Sequence, residues 1–376
     1  MLLRGKRVYA LSIVILALVS YGLYKVANLE DPMPLLMAKR FLENRTWYTN
    51  AAKQDSGSSF STKDATRLFE KGVKCLADAK KDIANYLTHS ISNTGVINTK
   101  SKLEPECSSD FLLVILVTTR PGNFANRAAV RLAWGRMDSA INKHAVIGHK
   151  GFTWKTIFSV GLANSPNIGS VVTLEQEKFG DILRLPYQDS YRNLPNKTMN
   201  SLTWIADNCR PKYVLKTDDD CFINILEMLS WLQTLPASYQ YIGRVNTEMP
   251  VIRDPKHRNY VPKEEHKDNV YKPYCAGGGY ILKGNIIKNV TDTGKRIKQI
   301  INEDAYMGMI ANALKIKPVN EDRFLPFIFF GPPVKKLNMC DWKDKFLVHN
   351  VLGRRQLIMH YNSIAMTKFQ SLCEVL

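Results

Sequence analysis

Tyr213-Val214-Leu215-Lys216-Thr217-Asp218-Asp219-Asp220-Cys221-Phe222-Ile223-Asn224 is the stretch on which the reading of this chain turns. An apolar run leads into three consecutive carboxylates, and an apolar run leads out. Tyr213 to Leu215 predicts a buried strand, and Ile223 to Leu235 the next element. Three acids at a strand end repel one another, and burying them unpaired is costly. A bound cation relieves that cost. Alternate side chains of an extended chain share a face, so Asp218 and Asp220 point together while Asp219 points away. Two carboxylates on one face suit a hard cation, Mg²⁺ or Mn²⁺, that also takes phosphate oxygens. The plain alternative is a solvated acidic turn. The flanking apolar runs set the acids at a sheet edge instead.

Working outward, Phe111 to Val117 is a short apolar run rich in β-branched residues. It predicts a strand covered on both faces, hence a parallel sheet under helices. A loop from Thr118 to Asn123 leads into a helix carrying Arg127, Arg131 and Trp134. The two arginines are four apart and share a helix face. They lie near the C-terminal edge of a first strand, where open α/β sheets bind nucleotides. Two arginines there suit a diphosphate or a carboxylate, or form an ordinary solvated face. Ile157 to Gly161 predicts another strand, and Phe179-Gly180-Asp181-Ile182-Leu183 a turn into an apolar segment. Asn196 to Cys209 predicts a helix leading into the acidic strand.

Further on, Tyr274-Cys275-Ala276-Gly277-Gly278-Gly279-Tyr280 places three glycines between tyrosines. They imply a close backbone approach, to a sugar or within a plain turn. The G-x-G-x-x-G dinucleotide spacing is absent. Asn302-Glu303-Asp304-Ala305-Tyr306-Met307-Gly308 opens a helix running to about Leu314. Acids in a first turn complement the helix dipole; the sharper reading aims one carboxylate into a cleft as a general base. His349 and His360 receive no role from local pattern.

The chain has 376 residues, room for one large domain with appendages, and 45% of them are hydrophobic. Its formal charge is +18. The lysines and arginines are scattered among acids, which argues against a nucleic-acid binder. A general basic field also draws in a small anionic substrate such as a nucleotide. Seven widely spaced cysteines with no C-x-x-C pair fit disulfides in an oxidising compartment. Cys209 with Cys221 or Cys275, and Cys340 with another, stay open as pairs. Arg4, Lys6 and Arg7 precede an apolar stretch from Val8 to Tyr24, with Glu30 and Asp31 beyond it. This predicts a cytosolic tail (1–7), a transmembrane signal-anchor (8–24), a luminal stem (25–106) and a luminal globular domain (107–376). Within the stem a helix over 61–90 is expected from the capping spacing of Ser61 and Asp64 and the stripe Phe69, Val73, Leu76, Ile83, Leu87. Asn44, Asn196 and Asn289 head glycosylation sequons.

Taken together, these segments resemble the β-1,3-glycosyltransferases of glycosyltransferase family 31, the galactosyltransferase-type family. The likeness runs from about Phe111 to His349. It is carried by Arg127-Ala128-Ala129-Val130-Arg131-Leu132-Ala133-Trp134-Gly135, by Glu175 through Phe179-Gly180-Asp181-Ile182, by Tyr191-Arg192-Asn193-Leu194 with Lys197-Thr198, by the acidic stretch, and by the glycine and Glu303-Asp304 blocks, in that order. The resemblance implies an α/β fold of the GT-A nucleotide-diphospho-sugar transferase type, with a mostly parallel central sheet flanked by helices. It implies a type II Golgi membrane protein, anchored by one span, that uses Mn²⁺. The activity implied is inverting β-1,3 transfer of a hexose, galactose first, from a UDP-sugar donor to a hydroxyl of an acceptor glycan on glycoprotein or glycolipid. N-acetylglucosamine or N-acetylgalactosamine transfer is the near alternative. An inactive luminal binding protein, or a binder of anionic lipid or nucleic acid, stands further off. Association with a second copy of the chain is left open.

By the same resemblance Asp218, Asp220 and His349 would hold the metal, His349 following Cys340 as in the family. Asp304 takes the place of the catalytic base. Arg127, Arg131, Asp181, Lys216, Asp218 and Asp219 fall on the nucleotide-sugar side. Gly277, Gly278, Gly279 and Glu303 fall in the acceptor or sugar pocket. Ala133, Ala305 and Leu194-Pro195-Asn196 depart from the family's usual residues, and none of these changes removes a charged group.

Overall fold

The computed structural model of the chain describes residues 104–107, 110–139, 142, 150–326, 342 and 344–368. The tail, the membrane span, nearly all of the stem, the 61–90 helix, Asn44, Cys75, Cys340 and Cys373 lie outside those residues. Among the described residues no helix is long and apolar enough to cross a membrane.

The apolar run beginning at Phe111 becomes β1 (Asp110–Thr118), in which Leu113 to Val117 are completely buried. Such a strand needs cover on both faces, and it sits mid-sheet. It pairs in parallel with β2 (Trp154–Leu162) and with β4 (Arg210–Asp218). β3 (Ile182–Gln188) runs parallel to β2. β6 (Tyr241–Asn246) and β7 (Tyr274–Lys283) are antiparallel to each other, β7 is antiparallel to β4, and β8 (Val319–Asn320) lies parallel to β6. The resulting seven-stranded order is β3-β2-β1-β4-β7-β6-β8. The chain moves outward from β1 to β3 and then returns to the other side of β1. The strand order therefore reverses between β1 and β4, the place where open α/β sheets hold ligands at their carboxyl ends.

Helices α1 (Phe124–Val130), α2 (Pro166–Phe179) and α3 (Leu194–Asn208) make the crossovers, α1 continuing into a π turn over Arg131–Gly135. α2 ends at Gly180, whose φ of 61° is left-handed and suits glycine. After β4 the expected element divides into β5 (Phe222–Ile223) and α4 (Ile225–Thr234). α5 (Ile287–Gly294), α6 (Glu303–Ala313) and α7 (Arg354–Lys368) follow in chain order. Alternate residues of β1 feed two cores: Leu113, Ile115 and Val117 join one, Val114 and Leu116 the other. This is the pleat's period of two, with helices on each face.

A small second sheet, β5-β10-β9, is built from β5, β9 (Phe324–Leu325) and β10 (Leu347–Val348). β10 is antiparallel to β5, with Val348 opposite Phe222 and Leu347 opposite Ile223. This pairing returns the C-terminal part of the chain to the acidic turn.

Cys107 is disulfide-bonded to Cys209, closing a separation of 102 positions. Asp110 pairs with Arg210, so β1 and β4 begin side by side and their preceding cysteines meet. The pairing of Cys209 with Cys221 or Cys275 is thereby corrected: both of those are free, buried thiols.

Candidate active site

β4 delivers the three acids to the reversal point, and each carboxylate has a different environment. Thr118, the last residue of β1, pairs with Asp218 in the sheet register. Its hydroxyl donates to Asp218 Oδ1, which also accepts from Lys216 Nζ at 3.1 Å. Asp219 points back into the protein and is buried. It accepts from the Thr119 hydroxyl, from Asn123 Nδ2 at 2.9 Å and from Asn126 Nδ2 at 3.1 Å. Burial pushes its carboxyl above the usual range, against the pull of those three donors. Asp219 thus ties the β1–α1 loop to β4. Both oxygens of this residue, expected on the nucleotide-sugar side, accept from the loop and from α1.

Asp220 faces His349, with Oδ2 and Nε2 3.5 Å apart. Burial alone would raise the Asp220 carboxyl, but the imidazole holds it below its ordinary value. Burial alone would lower His349, and Asp220 more than reverses that. Asp220, Cys221 and His349 present ligand atoms all within 4.8 Å of one another. Cys221 is fully buried; its thiol is pushed well above its usual pKa by that burial, and it donates to the Gly278 carbonyl at 3.1 Å. A protonated thiol is a poor ligand, which leaves a carboxylate and an imidazole. That donor set fits Mn²⁺ or a similar cation. Asp218 falls outside the group of three.

Lys216 is almost completely buried. Its ammonium spans Asp218 Oδ1, the Gly277 carbonyl at 2.9 Å and Glu303 Oε2 at 3.4 Å. Burial alone would favour the neutral amine, yet Asp218 and Glu303 raise its pKa. Lys216 therefore stays charged. Glu303 in turn accepts from Tyr280 OH at 2.5 Å and is itself buried. Glu303, expected in the sugar pocket, is a buried counterion for Lys216.

Asp304 follows in the first turn of α6. Its Oδ2 accepts the Gly277 N–H at 3.0 Å and its Oδ1 the Ala305 N–H at 2.9 Å. Burial, and then the neighbouring Glu303, raise its pKa to about 6. A carboxylate so tuned is a competent base near neutral pH. Gly277, through its carbonyl to Lys216 and its N–H to Asp304, joins the candidate base to the acidic turn.

The glycine run makes a close approach, as expected, and Gly278 and Gly279 make it to protein. A Cβ on Gly279 would lie 2.2 Å from Leu347 Cδ1 and 3.2 Å from the Lys216 carbonyl. One on Gly278 would lie 3.1 Å from Pro326 and 3.6 Å from His349 Cβ. The run lets the small sheet carrying His349 close down on β7.

Arg127 and Arg131, expected on the nucleotide-sugar side, are both engaged by buried acids and carbonyls of the protein. Arg127 is fully buried and uses its whole guanidinium on Glu175, Thr119 Oγ1 and the carbonyls of Arg120 and Pro121. Arg131 bonds Asp181 at 2.8 Å and Glu175 at 2.6 Å and lies over the Phe158 and Phe179 rings. Asp181 is buried in this cluster against Arg131. Glu175 is held below its ordinary pKa by both arginines, against its burial. Pattern reading also passed over Lys197, which is buried and bonds the Thr119 carbonyl at 3.0 Å and Asp189. A buried lysine in the first turn of α3 had only its place in a motif to mark it. Asn196 and Asn289 are exposed, whereas the threonines of their sequons, Thr198 and Thr291, are buried.

Residues 125–322 match the galactosyltransferase family profile. The chain is 32% identical over 224 residues to the UDP-GalNAc:beta-1,3-N-acetylgalactosaminyltransferase 1 of Rattus norvegicus, covering 58% of this chain and 65% of that protein. It is 31% identical over 233 residues to the beta-1,3-galactosyltransferase 1 of Mus musculus, covering 61% and 68%. With the mouse acetylgalactosaminyl-O-glycosyl-glycoprotein beta-1,3-N-acetylglucosaminyltransferase it shares 25% identity over 267 residues, covering 68% and 66%. The matched region thus spans about two thirds of the length of each. Three different sugars appear in these names and one linkage, and the chain belongs to the galactosyltransferase family.

Proposed function

We propose that this chain is an inverting β-1,3-glycosyltransferase with a GT-A-type site, moving one hexose from a UDP-sugar to an acceptor-glycan hydroxyl. One observation carries the reading: Asp218, Lys216, Gly277 and Asp304 form a continuous hydrogen-bonded path from the acidic turn to a carboxylate poised near pH 6. Such a path couples the leaving-group side of a transfer site to its base. In the proposed step Asp304 takes the proton of the acceptor hydroxyl. That oxygen forms a bond to the anomeric carbon from the side opposite UDP. The bond from that carbon to the diphosphate breaks, and its electron pair leaves with UDP, so the configuration inverts.

Asp220 and His349 would hold Mn²⁺, with Asp218 beside them; once bound, it supplies charge neutralisation for the departing diphosphate. Lys216 keeps a fixed positive charge under that same edge. Galactose is the first donor to test, with N-acetylgalactosamine and N-acetylglucosamine beside it, since relatives of all three names align. A Golgi lumen location behind a single N-terminal span is part of the proposal, supported by the anchor-like sequence at 8–24 and by a disulfide suited to an oxidising compartment.

The test uses the full chain with Mn²⁺ and each of the three UDP-sugars over a panel of glycoside acceptors, following UDP release. The expected result is release with one preferred donor, dependent on metal and lost in Asp220→Ala. A folded chain that binds UDP and Mn²⁺ yet turns over normally as Asp304→Asn would remove Asp304 from the mechanism.

A further inference from the structure

Gln356 lies on α7, outside every motif discussed above, and its side chain is completely buried. Its amide is satisfied at both ends. Oε1 accepts from Trp134 Nε1 at 2.9 Å. Nε2 donates to the Asp219 carbonyl at 2.7 Å and to the Val351 carbonyl at 2.9 Å. Two carbonyls and one indole N–H fix the amide's orientation, because only the NH₂ end can serve two acceptors. The Val351 N–H then donates to the Asp220 carbonyl at 2.7 Å. Asp220 is thereby bracketed: the carbonyl before it is held by Gln356, and its own carbonyl by Val351. Val351 stands two positions past His349 and is held by the same amide.

We infer that Gln356 is a positioning residue that sets the spacing of Asp220 and His349 for the metal. The inference rests on the glycosyltransferase reading and names a further residue of the same site. β5 and β10 meet over only two residue pairs. Burial of Phe222, Ile223, Leu347 and Val348 sets the register of this ladder, and a one-residue slip would turn His349 to the opposite face. The Gln356 bracket joins the two backbone segments beyond the end of that ladder. An apolar residue of the same size would leave both carbonyls and the indole N–H unpaired.

The experiment measures Mn²⁺ binding by titration calorimetry on the full chain, beside melting temperature, in wild type, Gln356→Glu, Gln356→Met and Trp134→Phe. Gln356→Glu keeps the size and the acceptor for Trp134 but sets a carboxylate oxygen against two carbonyls. Gln356→Met removes the bonds without that repulsion, in case the first variant does not fold. Removing an outer-shell partner of a metal ligand weakens metal affinity by about 10- to 100-fold. That loss is expected in both Gln356 variants, with turnover recovered by raising Mn²⁺. Trp134→Phe loses its bond to the same amide yet leaves the acidic turn alone; it should lower the melting temperature and keep wild-type Mn²⁺ affinity. Wild-type affinity in a folded Gln356 variant, or an equal loss in Trp134→Phe, overturns the inference. A wild-type chain that binds no Mn²⁺ and releases no UDP overturns the underlying reading and this inference with it.

Discussion

Two clusters of charge sit beside the same sheet and behave in opposite ways. Arg127, Arg131, Glu175 and Asp181 are two cations and two anions, each less than a tenth exposed, and they answer one another. Around the acidic turn, among the described residues, Lys216 faces Asp218 and Glu303 and His349 faces Asp220, against the four carboxylates of Asp218, Asp220, Glu303 and Asp304. The Asp218, Asp220 and His349 side chains there are 30%, 29% and 23% exposed. The first cluster is electrically closed, each charge paired within it. The second carries surplus negative charge at an open edge, which a cation can balance. Residue type does not separate the two; the surplus and its access do.

The largest expected effect breaks the open cluster. Asp304→Asn should lower kcat by about 10²- to 10⁴-fold without lowering the melting temperature at pH 7.5. The folded-state pKa of about 6 lies above the ordinary 3.8. The stability this group contributes is therefore complete below 3.8 and lost as pH rises through 6. At neutral pH the charged form costs about 3 kcal/mol, which more than offsets the roughly 1 kcal/mol lost with one accepted N–H bond. A destabilised variant with normal turnover would reverse the contrast drawn here.

Next, Arg127→Met should cost about 3–5 kcal/mol in denaturant unfolding, because it strips Glu175 of one partner inside the protein. The KM for the donor should stay unchanged in the folded enzyme. A raised donor KM at unchanged stability would move this cluster into the binding site. Cys107→Ser should cost about 2–5 kcal/mol and spare turnover, since the disulfide anchors the strand ends away from the acids; a loss of turnover in folded protein would contradict that separation. The smallest effect is in the pH profile. kcat/KM should fall on the acid side with an apparent pKa near 6. Glu303→Gln should shift that limb down by a fraction of a pH unit, because the Glu303 charge is the second cause of the elevation. An unmoved limb would detach the Glu303 charge from Asp304.

Much of the frame was legible in the residues. β1 and β4 read directly, because a strand covered on both faces is a continuous apolar run. α3 and α6 were bounded within two residues by their flanking signals. The acids were placed at a strand end by the runs beside them. The fate of the arginines was not legible. Spacing set Arg127 and Arg131 on one face, but their partners arrive from α2 and from the turn before β3, 44 to 50 positions away. The disulfide was missed for the same reason, since only the β1–β4 register brings Cys107 to Cys209. The glycines announced a close approach without naming what approaches, and Leu347 and Pro326 come from distant chain. His349 was reached through family resemblance alone.

The small sheet carrying His349 has a consequence for how the protein is made. Asp220 and His349 are more than a hundred positions apart. During synthesis the acidic turn leaves the ribosome long before its histidine. A nascent chain can then complete β1 to β4 while Asp220 still lacks its imidazole partner. β10 must arrive and pair with β5 before carboxylate and imidazole meet. Chain order thus delivers the whole seven-stranded sheet before the segment that brings His349 to Asp220.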